Sequence, residues 1–574
     1  QALKTNPNDL DAHRLLGHVY VQELGRTSLQ ASVPGNLQRA IHEYETIVKL
    51  DPSDTHSEVL LGRLYELNRQ PAQAAELFKK ILVANPNSEE AMMYLGSQYL
   101  HEGQYSQAAQ ILERIPEDRK SAQTYVELGA AYSQMQKFDK AAQNFKAALQ
   151  MDPVNQDVRR QYADALMRSG KTGPARVELE TVLKSDPKDG RALLRLAQLD
   201  QSEGHYNQAV QELDQAQKLM PGDLEVAYTD AQLQDALGHE GAAIKILKQL
   251  LVQTASPNGT YGADEANDRG AFLERLGLIY RSQSNYSEAV STFQQMVGLG
   301  GDQASRGEYL IIETLQLQGQ LAKAAAEAQR ALQKFPKNQS LNLIDASVLG
   351  DQGHVDEAVA KVRDFMKANG DSVEAELQIV EVYSQAKRYR DAQNIAQGLL
   401  QQKLKPSQKE YTQFLLGSVY ERQKKYGQAE EQFKAVLAAD PLNAAAYNYL
   451  GYMLADRGVQ LQQSVDDIKK ALQLDPNNGA YLDSLGWAYY KMNRYDEARQ
   501  PLEKAAHLLA NDPTVLMHLG HLYLKLGQKT LAVQTWKLAL EHYPSTADTD
   551  FDSSQAAKLQ KRLNQVEHQL SKNQ

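Results

Sequence analysis

A step of 34 residues, with neighbours of 33 and 35, separates most of the positions Gly17, Gly62, Gly96, Gly129, Ala163, Ala197, Ala231, Gly277, Ile312, Ala346, Val380, Gly417, Gly451, Gly486 and Gly520. This period constrains the chain more than its composition does. A unit of that length cannot bury a core alone and must stack on its neighbours. Other positions travel with the small slot. Leu485, Gly486, Tyr489, Ala498, Leu502 and Ala505 recur at the same offsets as Leu128, Gly129, Tyr132, Ala141, Phe145 and Ala148, and as Leu519, Gly520, Tyr523, Ala532, Trp536 and Ala539. The spacing predicts two helices per unit, in about fifteen units.

Each slot has a physical reading. A small residue on the first helix, such as Gly129, is expected to face an Ala on the second, such as Ala141, so that the two helices approach closely. The turn between them is written KFDKA, QYSQA, HYNQA, NYSEA or RYDEA, which predicts Asp139, Ser106, Asn207, Ser287 and Asp496 as caps of the second helix. The preceding ring, Phe138 or Tyr495, is placed to staple that end. Proline follows the second helix at Pro52, Pro153, Pro187, Pro441, Pro476 and Pro513, where it stops one unit and starts the next. Tyr489 shares its packing slot with Tyr20, Tyr65, Tyr99, Tyr132, Tyr280, Tyr383, Tyr420 and Tyr523, so those rings read as structure.

Two steps exceed the period by more than ten residues. The step from Gly17 to Gly62 is 45, and its excess falls in the polar stretch GRTSLQASVPGNLQ, expected to be a loop. The step from Ala231 to Gly277 is 46, and its excess falls around TASPNGTYGADEAND, expected to join two blocks of repeats. The predicted organisation is therefore an N-terminal block at 1–250, a joint at 251–269, a C-terminal block at 270–545, and a linker with a capping helix at 546–574. Leu559, Leu563, Val566 and Leu570 form the apolar stripe of that last helix, which would cover the stacking face of the final unit.

Composition removes several function classes. The 574 residues carry 62 basic and 72 acidic side chains, a formal charge of −10, with no local basic patch, which argues against nucleic acid and against an anionic membrane surface. With no cysteine there is no thiol catalysis and no thiolate metal site. No apolar run approaches the roughly 20 residues that span a bilayer. The chain begins at Gln1 without an initiator Met, so any export signal or membrane tether is expected upstream.

The motif search returns no catalytic residues, no cofactor-binding residues and no metal ligands. SGKTG at 169–173 matches the end of a phosphate-binding loop, but Ala165 stands where that loop needs Gly, and the stretch reads as an inter-helix turn. His518 and His521 lie one helical turn apart without an evident third ligand, and read as ordinary surface histidines. Neither a G-x-S-x-G nor an H-E-x-x-H occurs.

The period, the Leu-Gly pair and the turn phrase together resemble the tetratricopeptide repeat (TPR) over almost the whole chain. The resemblance implies an all-α, right-handed superhelical solenoid with a C-terminal capping helix, in which the first helices line a concave groove. It places Phe414, Ser418, Asn448, Tyr452, Asp483, Trp487, Tyr490, Met517 and His521 along that groove in the last units. Trp487 stands where other units have Ala130, Ser97, His18 or Ser418, which makes it a candidate partner contact; the competing reading is that it packs on a neighbouring helix. The stretch 447–498, with its one-residue insertion before Leu461 and the phrase LDSLGW, resembles the carboxyl-terminal units of Gram-negative envelope TPR lipoproteins, including adaptors for a carboxyl-terminal processing protease. The resemblance implies a non-enzymatic adaptor that holds a protein or peptide in its groove, in the bacterial periplasm or cell envelope, with a cytoplasmic location still open. Two alternatives stand beside it: a structural subunit of an envelope export or secretion assembly, and a regulatory array of an enzyme whose catalytic domain is not in this chain.

Overall fold

The structure, a computed structural model, describes residues 2–26, 33–543 and 553–572. Among them lie 32 α-helices, one short 3₁₀ turn at Glu117–Arg119, and no strand. The fold is an all-α TPR solenoid. Thirty of the helices, from Leu10–Arg26 to Lys529–His542, alternate as first and second members of fifteen units. The described residues divide into two compact units, Gln1–Leu199 and Asp200–Gln574.

The small slot is filled chiefly by a neighbour beyond the expected one. A Cβ added to Gly129 would lie 2.5 Å from the ring of Phe145, and one added to Gly62 would lie 2.5 Å from the ring of Phe78. Phe145 supplies the nearest atoms to Gly129, and in the unit of Gly486 the residue equivalent to Ala141, Ala498, also faces the slot through its carbonyl oxygen, 3.2 Å from an added Cβ. The chief contact falls one helical turn later, sixteen residues beyond the slot, and the two positions are complementary in size. Gly pairs with Phe78, Leu112, Phe145, Phe293, Phe433, Leu502 or Trp536. Where the slot holds Ile312 or Val380, the position sixteen later is Ala328 or Ala396, and all four side chains are fully buried. The sum of the two volumes is held roughly constant, as close packing requires. This explains how the diverged middle units keep two well-formed helices each, such as Gly301–Leu317 with Leu321–Lys334.

Capping is also distributed differently from the sequence reading. The second helices start on the ring residue itself, at Phe138 and Tyr495, behind Lys137 and Arg494, which make no side-chain cap bond. Asp139 and Asp496 therefore sit inside the first turn, where a negative charge favours the helix dipole, instead of capping it. The chain reverses through a residue in the left-handed region, Gln136 (φ 56°) or Asn493 (φ 60°). The next backbone N–H then returns to the tyrosine slot: Lys137 donates to the Tyr132 carbonyl at 2.8 Å and Arg494 to that of Tyr489 at 2.9 Å. Side-chain caps belong to the first helices, at Asp54, Ser88, Ser121, Asn155, Asp223, Asn338, Ser372, Asn443, Asn478 and Asp512.

The polar stretch in the first unit lies partly outside the described residues, and its end, from Val33, belongs to the helix Val33–Leu50. The stretch between Gln253 and Ala263 is a loop inside the second compact unit, and the helix Ala263–Ser282 begins with its last residues. The helix Ser553–Lys572 buries Leu559, Leu563 and Val566 against Trp536, Ala532 and Leu516, so it covers the final unit; the segment at 544–552 before it is outside the described residues. Within the second unit two distant turns touch. The Tyr206 hydroxyl donates to the Leu474 carbonyl at 2.5 Å, and Asn477 Nδ2 donates to the Ala236 carbonyl at 2.7 Å. Gly204 (φ 76°) backs directly onto the Gln473 carbonyl, and a side chain there would collide with it.

Candidate functional site

Three successive first helices carry most of the expected groove residues: Ala444–Arg457, Gly479–Lys491 and Pro513–Lys525. Asn443, Asn478 and Asp512 cap them by accepting backbone N–H bonds, which fixes the start and hence the rotation of each helix. The four-residue step from Asn448 to Tyr452 and from Asp483 to Trp487 then puts both members of each pair on one face.

The nine expected residues fall into three groups. Asn448, Tyr452 and Asp483 line an open cleft of about 290 Å³, together with Tyr449, Ser484, Asp512 and Thr514. Trp487, Tyr490, Met517 and His521 form a packed cluster beside it. Phe414 stands apart, stacked on Tyr411 at 6.5 Å and meeting Tyr449 edge-on at 5.1 Å, with half-buried Ser418 one turn along.

Trp487 is packed more than it is presented. Its side chain is only 8% exposed. The ring stacks on His518 at 4.0 Å and on Tyr490 at 4.8 Å, Lys491 Nζ lies 4.9 Å from its centroid, and its Nε1–H donates to Asp456 Oδ1 at 3.3 Å. The competing reading of this residue, packing on a neighbouring helix, describes what the ring does. His518 is buried too, and its Nδ1–H donates to Asp483 at 2.8 Å. The expectation of an ordinary surface histidine is corrected here, and Asp483 is the partner that the sequence did not reveal. The signal was available, because the two residues are 35 apart, one period, and so sit side by side on adjacent first helices.

The far end of the cluster is closed by the terminal helix. The Arg562 guanidinium lies 5.7 Å from the Trp536 ring. His521 meets Trp536 edge-on at 5.3 Å, and its Nδ1–H donates to the Met517 carbonyl at 2.6 Å. Burial depresses its pKa to about 4, so this imidazole is neutral near pH 7. In the open cleft the opposite sign holds. Burial raises the Asp512 carboxyl above its ordinary value, the neighbouring Asp483 charge adds to the rise, and the Thr514 and Val515 N–H groups oppose it.

Elsewhere, SGKTG spans the turn at Ser169–Lys171 and the first two residues of the helix Thr172–Ser185, and Lys171 is paired with Asp139 at 2.7 Å. Among the described residues, ligand-type atoms come within 4.8 Å of one another at Asp200, Glu203 and His205, where His205 already bonds to the Asp200 side chain and backbone within a tight turn. No helix among the described residues is long and apolar enough to cross a membrane.

Family models described as tetratricopeptide repeat match residues 34–89, 67–131, 273–306, 414–479 and 484–547, and a model described as the cytochrome c-type biogenesis protein H TPR domain matches residues 111–226. The chain is a tetratricopeptide-repeat protein. It is 32% identical over 212 residues to TPR repeat-containing protein PA4667 of Pseudomonas aeruginosa, a match that spans 35% of each chain. It is 26% identical over 195 residues to the type IV pilus assembly protein PilF of the same organism, spanning 33% of this chain and 73% of that one. Among solved structures, the Cut9 and Hcn1 hetero-tetramer of the APC/C aligns at a TM-score of 0.44 with 16% identity over 97% of this chain and 96% of that one. Yeast Tom70 aligns at 0.39 with 15% identity over 84% and 96%. TPR repeats make this chain a protein-interaction scaffold.

Proposed function

We propose that the chain is a non-enzymatic adaptor of the bacterial cell envelope, which holds a segment of a partner protein along the first-helix face of its last units. The observation that carries this reading is the cleft at Asn448, Tyr452 and Asp483. It lies where three adjacent units present polar and aromatic side chains side by side, and it stays open while the neighbouring Trp487 cluster is filled. Aromatic walls with a few polar groups are what peptide recognition needs: contact area from the rings, and orientation from the hydrogen bonds. Support for the envelope comes from the relatives' names, pilus assembly and cytochrome c-type biogenesis, because a pilus is a cell-surface structure.

Site-specific photo-crosslinking in cells tests it. A photoreactive residue at Tyr449, 39% exposed at the cleft, is expected to give a discrete adduct with a partner protein. The same residue at Leu538, on the second helix Lys529–His542, is expected to give none. Adducts from Leu538 with none from Tyr449 would refute the groove reading.

A further inference from the structure

The chemistry of the cleft is one-sided. Asn448 is 8% exposed, yet its Oδ1 has no hydrogen-bond partner, and Thr514 Oγ1 beside it has none either. A buried carbonyl without a donor is destabilising, and an apolar residue of the same shape would avoid that cost. The charged groups lining the same space are the carboxylates of Asp483, Asp512 and Glu421, which only accept. The single cation among the lining residues, Arg422, sits 3.7 Å from Glu421. The apolar lining is Met453, Leu509 and Val515, together with the rings of Tyr449 and Tyr452. The site thus offers three carboxylates against one cation, two buried side-chain oxygens without a partner, and a slot for an aliphatic stem.

We infer that this cleft receives the cationic end of a lysine or arginine side chain from the partner segment, with Asn448 Oδ1 as the buried acceptor and Asp483 and Asp512 as the counter-charge. The inference rests on the groove reading above and specifies what the groove selects. The donor completes the hydrogen bonding of Asn448, the positive charge relieves the repulsion between the two neighbouring carboxylates, and the stem packs between the tyrosines and Val515. Arginine or lysine on a tyrosine face adds a cation–π contribution.

The full chain can be panned against a phage-displayed library of random heptapeptides, and the best binder resynthesised with an acetylated N-terminus and measured by fluorescence anisotropy. A lysine or arginine is expected at one fixed position, and its replacement by acetyl-lysine or citrulline should weaken binding at least tenfold. Two variants report on the cleft. Asn448→Leu removes the acceptor while relieving an unsatisfied buried group, and Asp512→Asn removes charge while keeping a good helix cap, so both should fold. Each should weaken the cationic peptide at least fivefold at a melting temperature near that of the wild type. Binders without a cationic position, a neutralised peptide that binds as the parent does, or wild-type affinity in both variants would overturn the inference and leave the scaffold reading standing. Loss of binding on acetylation of the N-terminus alone would overturn the side-chain assignment in favour of a chain terminus. Failure to retain any heptapeptide would overturn both readings.

Discussion

Removing the Trp487 ring is a sharp test of what that residue is for. Its side chain is 92% removed from solvent, by subtraction from its 8% exposure, and it lies sandwiched between His518 and Tyr490. Truncating a buried Trp to Ala costs about 3–5 kcal/mol. The bond lost to Asp456 adds little, because that carboxylate is 60% exposed and water replaces the donor. Trp487→Ala should therefore destabilise the last units by about 4 kcal/mol. In a stacked array the loss is felt by the nearest neighbours first. The chain has two tryptophans, so in this variant all indole fluorescence comes from Trp536, which belongs to the adjoining cluster. Urea unfolding followed by that fluorescence should show a midpoint well below the wild-type value, with circular dichroism losing helix at the same concentrations. Tyr489→Ala should behave similarly, since that ring is 7% exposed and sits under Arg494 at 4.8 Å. A Trp487→Ala midpoint equal to the wild type would show that the ring carries no packing load, and the core assignment would fail.

Three further outcomes follow from the geometry. Gly129→Ile should be strongly destabilising because Phe145 occupies the space, and adding Phe145→Ala should recover much of the loss by recreating the Ile312 and Ala328 pairing; a double-mutant cycle without favourable coupling would refute the complementarity. His521, neutral in the fold with a pKa of about 4 against an ordinary 6.5, contributes stability that is complete above pH 6.5 and is lost as pH falls towards 4, by up to about 3 kcal/mol. Urea unfolding at pH 7.5 and 4.5 should show a smaller pH loss for His521→Phe than for the wild type, and equal losses would refute it. If the insertion at 254–267 joins two blocks, limited proteolysis should cut first within its loop, between Gln253 and Ala263, where Asn258, Gly259 and Thr260 are exposed; first cuts between Gly417 and Gly520 would contradict the two-block proposal.

Much of this molecule is written in one dimension. A repeat packs mainly on its sequence neighbours, so the 34-residue step by itself determined the helix pairs, the tyrosine slot and the reversal after each first helix, and the apolar stripe of Leu559, Leu563 and Val566 determined the terminal helix that buries them. It also determined that Asn448, Tyr452 and Asp483 share a face, since positions one period apart on adjacent first helices become neighbours. Tertiary structure alone decided which of those side chains stay available. Trp487 and Asp483 occupy the same helix face one turn apart. The ring is filled in by His518 from the next unit and by Tyr490, while Asn448 keeps a buried oxygen without a donor. The pattern along a helix says which way a residue points, but what it meets depends on the sizes of the side chains that arrive from other units. The contacts of Tyr206 with Leu474 and of Asn477 with Ala236 span 268 and 241 residues. They have no counterpart in the period, because they arise from the accumulated rotation of many stacked units and from no single repeat.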